Sequence, residues 1–124
     1  MRLDKLLLTG ILASSLLLAL DPKLQKAAEA KINDKKFDEA VAMLDAAYKQ
    51  TPKDPALLKA LANAHLKFGD SYMYSEQLPP MQKYPNALRQ YRQVLVYDKT
   101  NAVAKKNVDM IESIYNSMGR PIPK

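Results

Sequence analysis

The sequence contains no cysteine and no tryptophan, and it has only one histidine and three glycines among 124 residues. The lack of cysteine excludes disulfides, thiol catalysis, covalently bound c-type haem and cysteine-ligated zinc. The glycines stand apart at positions 10, 69 and 119, so the chain has no glycine-rich phosphate loop. A single imidazole, that of His65, does not make a metal site, and packing is the role expected of it.

The carboxylates give no sign of catalysis either. Asp38 and Glu39 are adjacent in sequence, so on a helix they would diverge by ~100° and could not act as a catalytic pair. Serine and threonine are few, and no base is placed beside them. We therefore predict that the protein is not an enzyme and that it uses no metal and no cofactor.

The net charge is +6, from 19 basic and 13 acidic residues. Two interpretations remain open, a solvated surface rich in lysine and a surface that meets an acidic partner or an anionic membrane. The lysines are scattered along the chain, which favours the first. No basic run is interleaved with aromatic residues, so we expect no binding to nucleic acid.

Length and apolar content predict a folded protein of one domain, since apolar residues make up 48% of the 124 positions. The first twenty residues differ from the rest. After the basic Arg2 and Lys5, the run from Leu6 to Leu20 has fifteen residues without a charge. A helix of that length spans ~22 Å, less than the ~30 Å of a hydrocarbon core.

A longer stretch that includes Leu3, with Arg2 and Lys5 snorkelling, could still cross a thinned bilayer. Residues 1–20 are expected to form a signal peptide or a membrane-anchor transmembrane helix, with a buried first helix of the domain as the alternative. Small residues at the potential cleavage sites do not decide between removal and retention. Because basic residues tend to stay in the cytoplasm, the chain from residue 21 onward is expected on the periplasmic side of the inner membrane, anchored or exported.

An internal repeat organises the remainder. One helical stripe of apolar residues returns 47 residues later, and the shorter pattern before it returns after 34 residues. The first stripe is Phe37, Ala40, Val41, Leu44, Ala47 and Tyr48, and its copy is Tyr84, Ala87, Leu88, Tyr91, Val94 and Leu95. The preceding pattern is Leu24, Ala27 and Ala28, repeated as Leu58, Leu61 and Ala62. The second copy thus contains 13 additional residues.

A helix–turn–helix period of 34 residues resembles the tetratricopeptide repeat family. Residues that match its two helices are Leu24, Ala27, Ala28, Phe37, Ala40, Leu44, Ala47 and Pro52. Leu24 and Leu58 stand where the family usually has a large aromatic residue. A second stretch is similar to one in exported bacterial members, and it consists of Leu78, Pro79, Pro80, Tyr84, Pro85, Ala87 and Leu88.

The resemblance implies an all-α fold of TPR-like helix pairs in a right-handed superhelix, closed by a capping helix. We expect repeat 1 at 21–54, repeat 2 at 55–101 with an insertion near 69–83, the capping helix at 102–118 and a tail at 119–124. Asp21 and Asp54, each followed by proline, should start the first helix of each repeat. Asp34 should cap the start of the second helix, and Gly69 should end the third. Pro85 should begin the fourth helix.

Two surfaces are candidates for binding another protein. The inserted segment offers apolar and aromatic area at Tyr72, Tyr74, Leu78, Pro79 and Pro80, unless these residues only cover the repeat core. Together with the adjoining end of the last helix, it is the favoured contact. The family resemblance also implies a concave groove lined by Gln25, Glu29, Lys59, Asn63, Lys67 and Asn107, three of which (Lys59, Asn63, Asn107) match a carboxylate clamp. The other interpretation of these groove residues is a solvated polar face.

The sequence therefore predicts a scaffold or adaptor that holds a partner protein at or outside the membrane. Two repeats and a cap fall below the ~three repeats that usually fold alone, so a partner or self-contact is expected to cover an apolar face. The alternatives are an accessory structural subunit of a membrane protein complex and a soluble periplasmic peptide-binding protein.

Overall fold

The computed structural model describes residues 20–124, and all regular secondary structure in that range is helical. The helices are α1 (Pro22–Asn33), α2 (Phe37–Gln50), α3 (Pro55–Met73), α4 (Pro80–Tyr97) and α5 (Ala102–Ser117). Helices α1 and α2 pack as one pair, and α4 packs on α5. The predicted all-α fold of adjacent helix pairs is thereby confirmed.

Nearly all of the segment predicted as a signal or anchor, residues 1–19, lies outside the described residues. Among the helices of residues 20–124, none combines the length and the apolar character needed to cross a bilayer.

The start of α1 follows the sequence prediction. The carboxylate of Asp21 accepts a hydrogen bond of 2.8 Å from the backbone N–H of Leu24, and Pro22 occupies the first helical turn. A proline there loses no helical hydrogen bond, because the first N–H groups of a helix have no intrahelical acceptor. The equivalent Asp54 precedes α3, and its carboxylate accepts from the N–H of Leu20 at 3.0 Å.

The prediction that Asp34 caps α2 is wrong, because Asp34 is the C-cap of α1 and the N-cap of α2 is Lys36. The turn between the helices uses a left-handed residue, Lys35, with φ of 61°. Its N–H donates to the carbonyl of Ile32 at 3.0 Å, and the N–H of Lys36 donates to Lys31 at 2.8 Å. This pair of bonds closes the end of α1 and leaves Asp34 no helix start to cap.

Gly69 does not end α3, which continues to Met73. The glycine is inside the helix because the ring of Tyr91 from α4 approaches its backbone. Helix α4 also begins five residues before the predicted start at Pro85, since it runs from Pro80 and includes Pro85 in its interior. The inserted residues therefore lengthen both helices, and only the connection 74–79 is not helical.

The described part of the chain divides into two compact units between Ala60 and Leu61, inside α3. In the described part of the first unit, the buried apolar residues are Ala28, Ala40, Leu44 and Leu57. The second unit has a continuous core formed by Ala62, Ala87, Leu88, Tyr91, Val94, Ala104, Ile111 and Tyr115. Alanines at repeat-equivalent positions 28 and 62 are both buried, as the repeat pattern predicts.

Helix α5 is capped by Asn101, whose side-chain oxygen accepts from the N–H of Ala104 at 2.9 Å. Its charged residues Lys105 and Asp109 are exposed. The helix ends at Ser117, and Gly119 reverses the chain with φ of 65°. Residues 120–124 of the predicted tail are non-helical, and they turn back onto the second unit.

Candidate protein-interaction surfaces

The residues predicted to form the binding loop divide into two groups in the structure. Tyr72 belongs to α3, packs against the core of the second unit and stacks on Phe68 with ring centroids 5.3 Å apart. Tyr74, at the start of the connection, is 68% exposed. Leu78 is half-buried, and its N–H donates to Ser75 Oγ at 3.2 Å. The two prolines that follow, at positions 79 and 80, are exposed.

The end of α5 adjoins this connection. A guanidinium nitrogen of Arg120 lies 3.1 Å from the sulfur of Met81, in the first turn of α4. Met81 is 60% exposed and Met118 is 46% exposed. We call the surface formed by Tyr74, Leu78, Pro79, Pro80, Met81 and Met118 the tip surface. Met118 belongs to the end of the last helix, which the sequence indicated as part of this contact. Met81 was not identified from the sequence, although it directly follows the Leu-Pro-Pro segment.

Arg92 of α4 connects the tail to α5. Its guanidinium donates to the carbonyl of Pro123 at 2.7 Å and to the carboxylate of Glu112 at 3.3 Å. Ile122, which directly precedes Pro123, is half-buried and packs against the core of the second unit. The side of α4 and α5 that carries Met81, Arg92 and Glu112 is called the tail seat below.

The residues predicted for the groove have different environments. On α1, the amide of Gln25 donates to Glu29 at 3.1 Å, and both side chains are exposed. Lys59, Asn63 and Lys67 are exposed and recur every fourth residue along α3, so they share one solvated face of that helix. Asn107 is instead buried, with 5% of its surface exposed. Binding of a partner at these residues stays a prediction.

Asn107 takes part in a buried polar contact that joins three helices. The hydroxyl of Tyr91 in α4 donates to Asp70 of α3 at 2.7 Å, and the side chain of Asn107 in α5 also hydrogen-bonds to Tyr91. Burial raises the pKa of the Tyr91 hydroxyl far above its usual range, and the hydrogen bond and negative charge of Asp70 reinforce the shift. Tyr91 therefore stays neutral and serves as a structural hydrogen-bond donor.

His65 is buried in the second unit, as its expected packing role requires. Its Nδ1 lies 2.8 Å from the side-chain oxygen of Gln90, and its ring stacks on Tyr97 with centroids 5.6 Å apart. In the described part of the chain, no three His, Cys, Asp or Glu side chains gather as a metal site would require.

Comparison with known proteins gives one match. No curated protein and no solved structure matches the chain. Residues 24–70 match the sequence model of the tetratricopeptide repeat. The matched stretch runs from the first turn of α1 through α2 to the last part of α3, which is one helix pair and the first helix of the next. Through these residues, 47 of the 124, the chain is similar to the tetratricopeptide repeat family.

Proposed function

We propose that this protein is a non-catalytic adaptor that holds a partner protein mainly through the tip surface. Tetratricopeptide repeats are protein-interaction modules, which supports the general role. The observation that supports the location is the distribution of exposed apolar area. Within residues 20–124, every exposed large apolar side chain belongs to the second unit: Tyr74, Met81, Val96, Val103, Met110 and Met118. Three of these six residues, Tyr74, Met81 and Met118, lie in the tip surface.

Energetics favour the tip over the polar face of α3. Exposed charged and polar contacts such as Lys59 and Lys67 contribute ~0–1 kcal/mol each, because water competes for them. A buried tyrosine commonly dominates an interface, and methionine adapts its shape to different partners. Tyr74 has no core role to lose, since it is exposed, whereas Tyr72 already packs in the core.

The test compares Tyr74→Ala and Met81→Ala with Val96→Ala, a matched change on α4 outside the tip surface. Proteins that co-purify with the full chain are identified from its native host, and their capture by each variant is quantified. We expect capture to fall at least ~tenfold in the two tip variants, about 1.4 kcal/mol, and to persist in Val96→Ala. Loss of capture in Lys59→Ala with normal capture in Tyr74→Ala would move the interface to the groove.

We also propose that the adaptor works at the periplasmic face of the inner membrane. The support is the uncharged run from Leu6 to Leu20 behind two basic residues. The intact mass of the native protein separates the alternatives. Retention of residues 1–20 supports an anchored adaptor or an accessory subunit of a membrane complex, and their loss supports a soluble periplasmic peptide binder. A cytoplasmic native protein of full mass would contradict this location.

A further inference from the structure

The tail forms three contacts with the second unit that together resemble a bound peptide. Arg120 lies over the sulfur of Met81 at 3.1 Å, Ile122 packs against the core, and Arg92 donates to the carbonyl of Pro123 at 2.7 Å. Along this segment the contacts are made in order by the side chain of Arg120, the side chain of Ile122 and the backbone carbonyl of Pro123. Such a pattern fits any extended chain with an aliphatic residue between two prolines.

The tail seat is formed by oriented groups rather than by a bare apolar face. The guanidinium of Arg92 is fixed between Glu112 and the Pro123 carbonyl, and both ionic side chains are about one-third exposed. A guanidinium aimed at a backbone carbonyl recognises an extended peptide irrespective of its side chain at that position. The adjacent position of Ile122 then selects for an aliphatic side chain.

We propose that the tail seat is a binding site for an extended segment of the partner protein in which an aliphatic residue lies between two prolines. The chain's own Arg120–Pro123 is then an intramolecular competitor that leaves when the partner segment enters. This inference rests on the proposed adaptor function. Contact between Arg120 and Met81 places the start of the tail at the tip surface, so one partner reaches both sites.

Release of the tail breaks contacts that follow the chain reversal at Gly119, which adopts φ of 65°. The N–H of Arg120 donates to the carbonyl of Tyr115 at 3.0 Å and Ile122 packs against the core, so an incoming segment must replace these contacts. Because the tail is covalently attached, it competes at an effective concentration on the order of millimolar, which only a partner with additional contacts overcomes. A partner docked at the tip surface has such contacts.

The experiment measures binding of a fluorescent peptide, acetyl-Arg-Pro-Ile-Pro-Lys-amide, to the full chain by anisotropy. Ile122→Ala weakens the competing tail, so we expect the peptide to bind this variant about tenfold more tightly than wild type. Adding Arg92→Ala should remove most of that gain. The matched control adds Arg89→Ala, an exposed arginine of α4 that contacts Asn86 and not the tail, and it should leave peptide binding unchanged.

Folding is checked for each variant by its melting temperature. If Ile122→Ala does not fold, the wild-type chain is titrated with the peptide and the Ile122 methyl signal is followed by NMR. We expect that signal to move to the position of a solvent-exposed isoleucine. An unmoved signal at millimolar peptide, or equal binding by folded Ile122→Ala and its Arg92→Ala double variant, overturns the proposal.

Two further outcomes are informative. Concentration-dependent dimers that disappear in Arg92→Ala would show exchange of tails between copies of this chain and overturn the assignment to a partner protein. Failure of the peptide to bind leaves the adaptor function standing if Tyr74→Ala still loses capture. If the peptide does not bind and Tyr74→Ala also retains normal capture, both the adaptor function of the second unit and the tail seat are wrong.

Discussion

The aromatic ring of Tyr91 packs directly against the backbone of Gly69, and a Cβ atom at position 69 would lie 2.7 Å from the ring atom Cε1. This contact brings α3 and α4 together closely enough for the Tyr91 hydroxyl to reach Asp70, one residue further along α3. The same side chain hydrogen-bonds to Asn107 of α5. Tyr91 thus links the three helices of the second unit, and Gly69 provides the space it needs.

Replacing Gly69 with alanine tests the close contact. In an ordinary helix interior, Gly→Ala stabilises by ~1 kcal/mol through helix propensity. At this position we expect the opposite sign, a loss of ~1–3 kcal/mol, because the methyl group would overlap the Tyr91 ring. Urea denaturation of both proteins measures the difference. In a Tyr91→Leu background the penalty should become smaller, and an undiminished penalty would contradict the assigned cause.

Removal of the Tyr91 hydroxyl tests the polar contact. Tyr91→Phe keeps the ring and its packing but leaves Asp70 and Asn107 without their shared partner. Loss of a buried hydrogen bond to a charged group costs ~1–3 kcal/mol, and we expect a decrease in that range at neutral pH. Tyr74→Phe, at an exposed position, is the control and should change the denaturation midpoint little. Equal midpoints for wild type and Tyr91→Phe would show that the contact contributes nothing.

Alkaline pH gives an independent test of the same residue. The pKa of Tyr91 is raised in the folded protein, so between the ordinary tyrosine pKa of about 10 and the folded value only the unfolded chain releases this proton. The stabilisation is therefore complete below pH ~10 and is lost as pH rises above it, by up to ~1.4 kcal/mol per pH unit. The free energy of unfolding should fall less steeply above that pH in Tyr91→Phe than in wild type.

The repeat spacing predicted the helix pairs well, because apolar periodicity depends on local sequence and on burial of one face. Asp21 and Pro22 marked the start of α1 for the same local reason. The sequence could not place the C-terminus of α3 or the N-terminus of α4. Glycine favours a helix end on its own, yet a tertiary contact with a distant ring keeps Gly69 inside the helix. Such a contact leaves no trace in the local pattern.

The candidate site was predictable in part. Tyr74 and the Leu-Pro-Pro segment could be identified as apolar residues in an insertion, and Tyr74 is exposed. Tyr72 carries the same chemistry, but its position on α3 turns it to the core. The end of the last helix, which carries Met118, could also be proposed from the sequence. The docking of the tail could not be inferred, because it depends on the chain reversal at Gly119. The composition of residues 120–124 alone does not predict the surface against which they pack.

A larger residue at position 62 tests the repeat register. Ala62 is 4% exposed in the core of the second unit, at the position equivalent to the buried Ala28. Ala62→Leu should lower the free energy of unfolding by roughly 1–3 kcal/mol, because the additional methylene groups have no space. Ala56→Leu on the exposed side of α3 is the matched control and should be nearly neutral. A neutral Ala62→Leu would show that α3 is not closely packed against the other helices of the second unit at Ala62.

The turn between α1 and α2 gives a prediction of increased stability. Lys35 is the one described residue other than glycine with positive φ, at 61°. A side chain in this left-handed conformation meets the following carbonyl and costs roughly 1–2 kcal/mol, whereas glycine adopts it without that cost. Part of the gain is offset, because glycine also increases the entropy of the unfolded chain. We therefore expect Lys35→Gly to raise the free energy of unfolding by about 0.5–1 kcal/mol.

Two variants separate the left-handed conformation of Lys35 from a simple effect of removing a lysine. Lys35→Ala keeps a Cβ atom and should be no more stable than wild type. Lys26→Gly changes an exposed lysine inside α1, and it should destabilise the protein by ~1 kcal/mol through lost helix propensity. The measurement is urea denaturation at constant pH and salt. If Lys35→Gly destabilised the protein as much as Lys26→Gly does, the left-handed conformation assigned to Lys35 would be wrong.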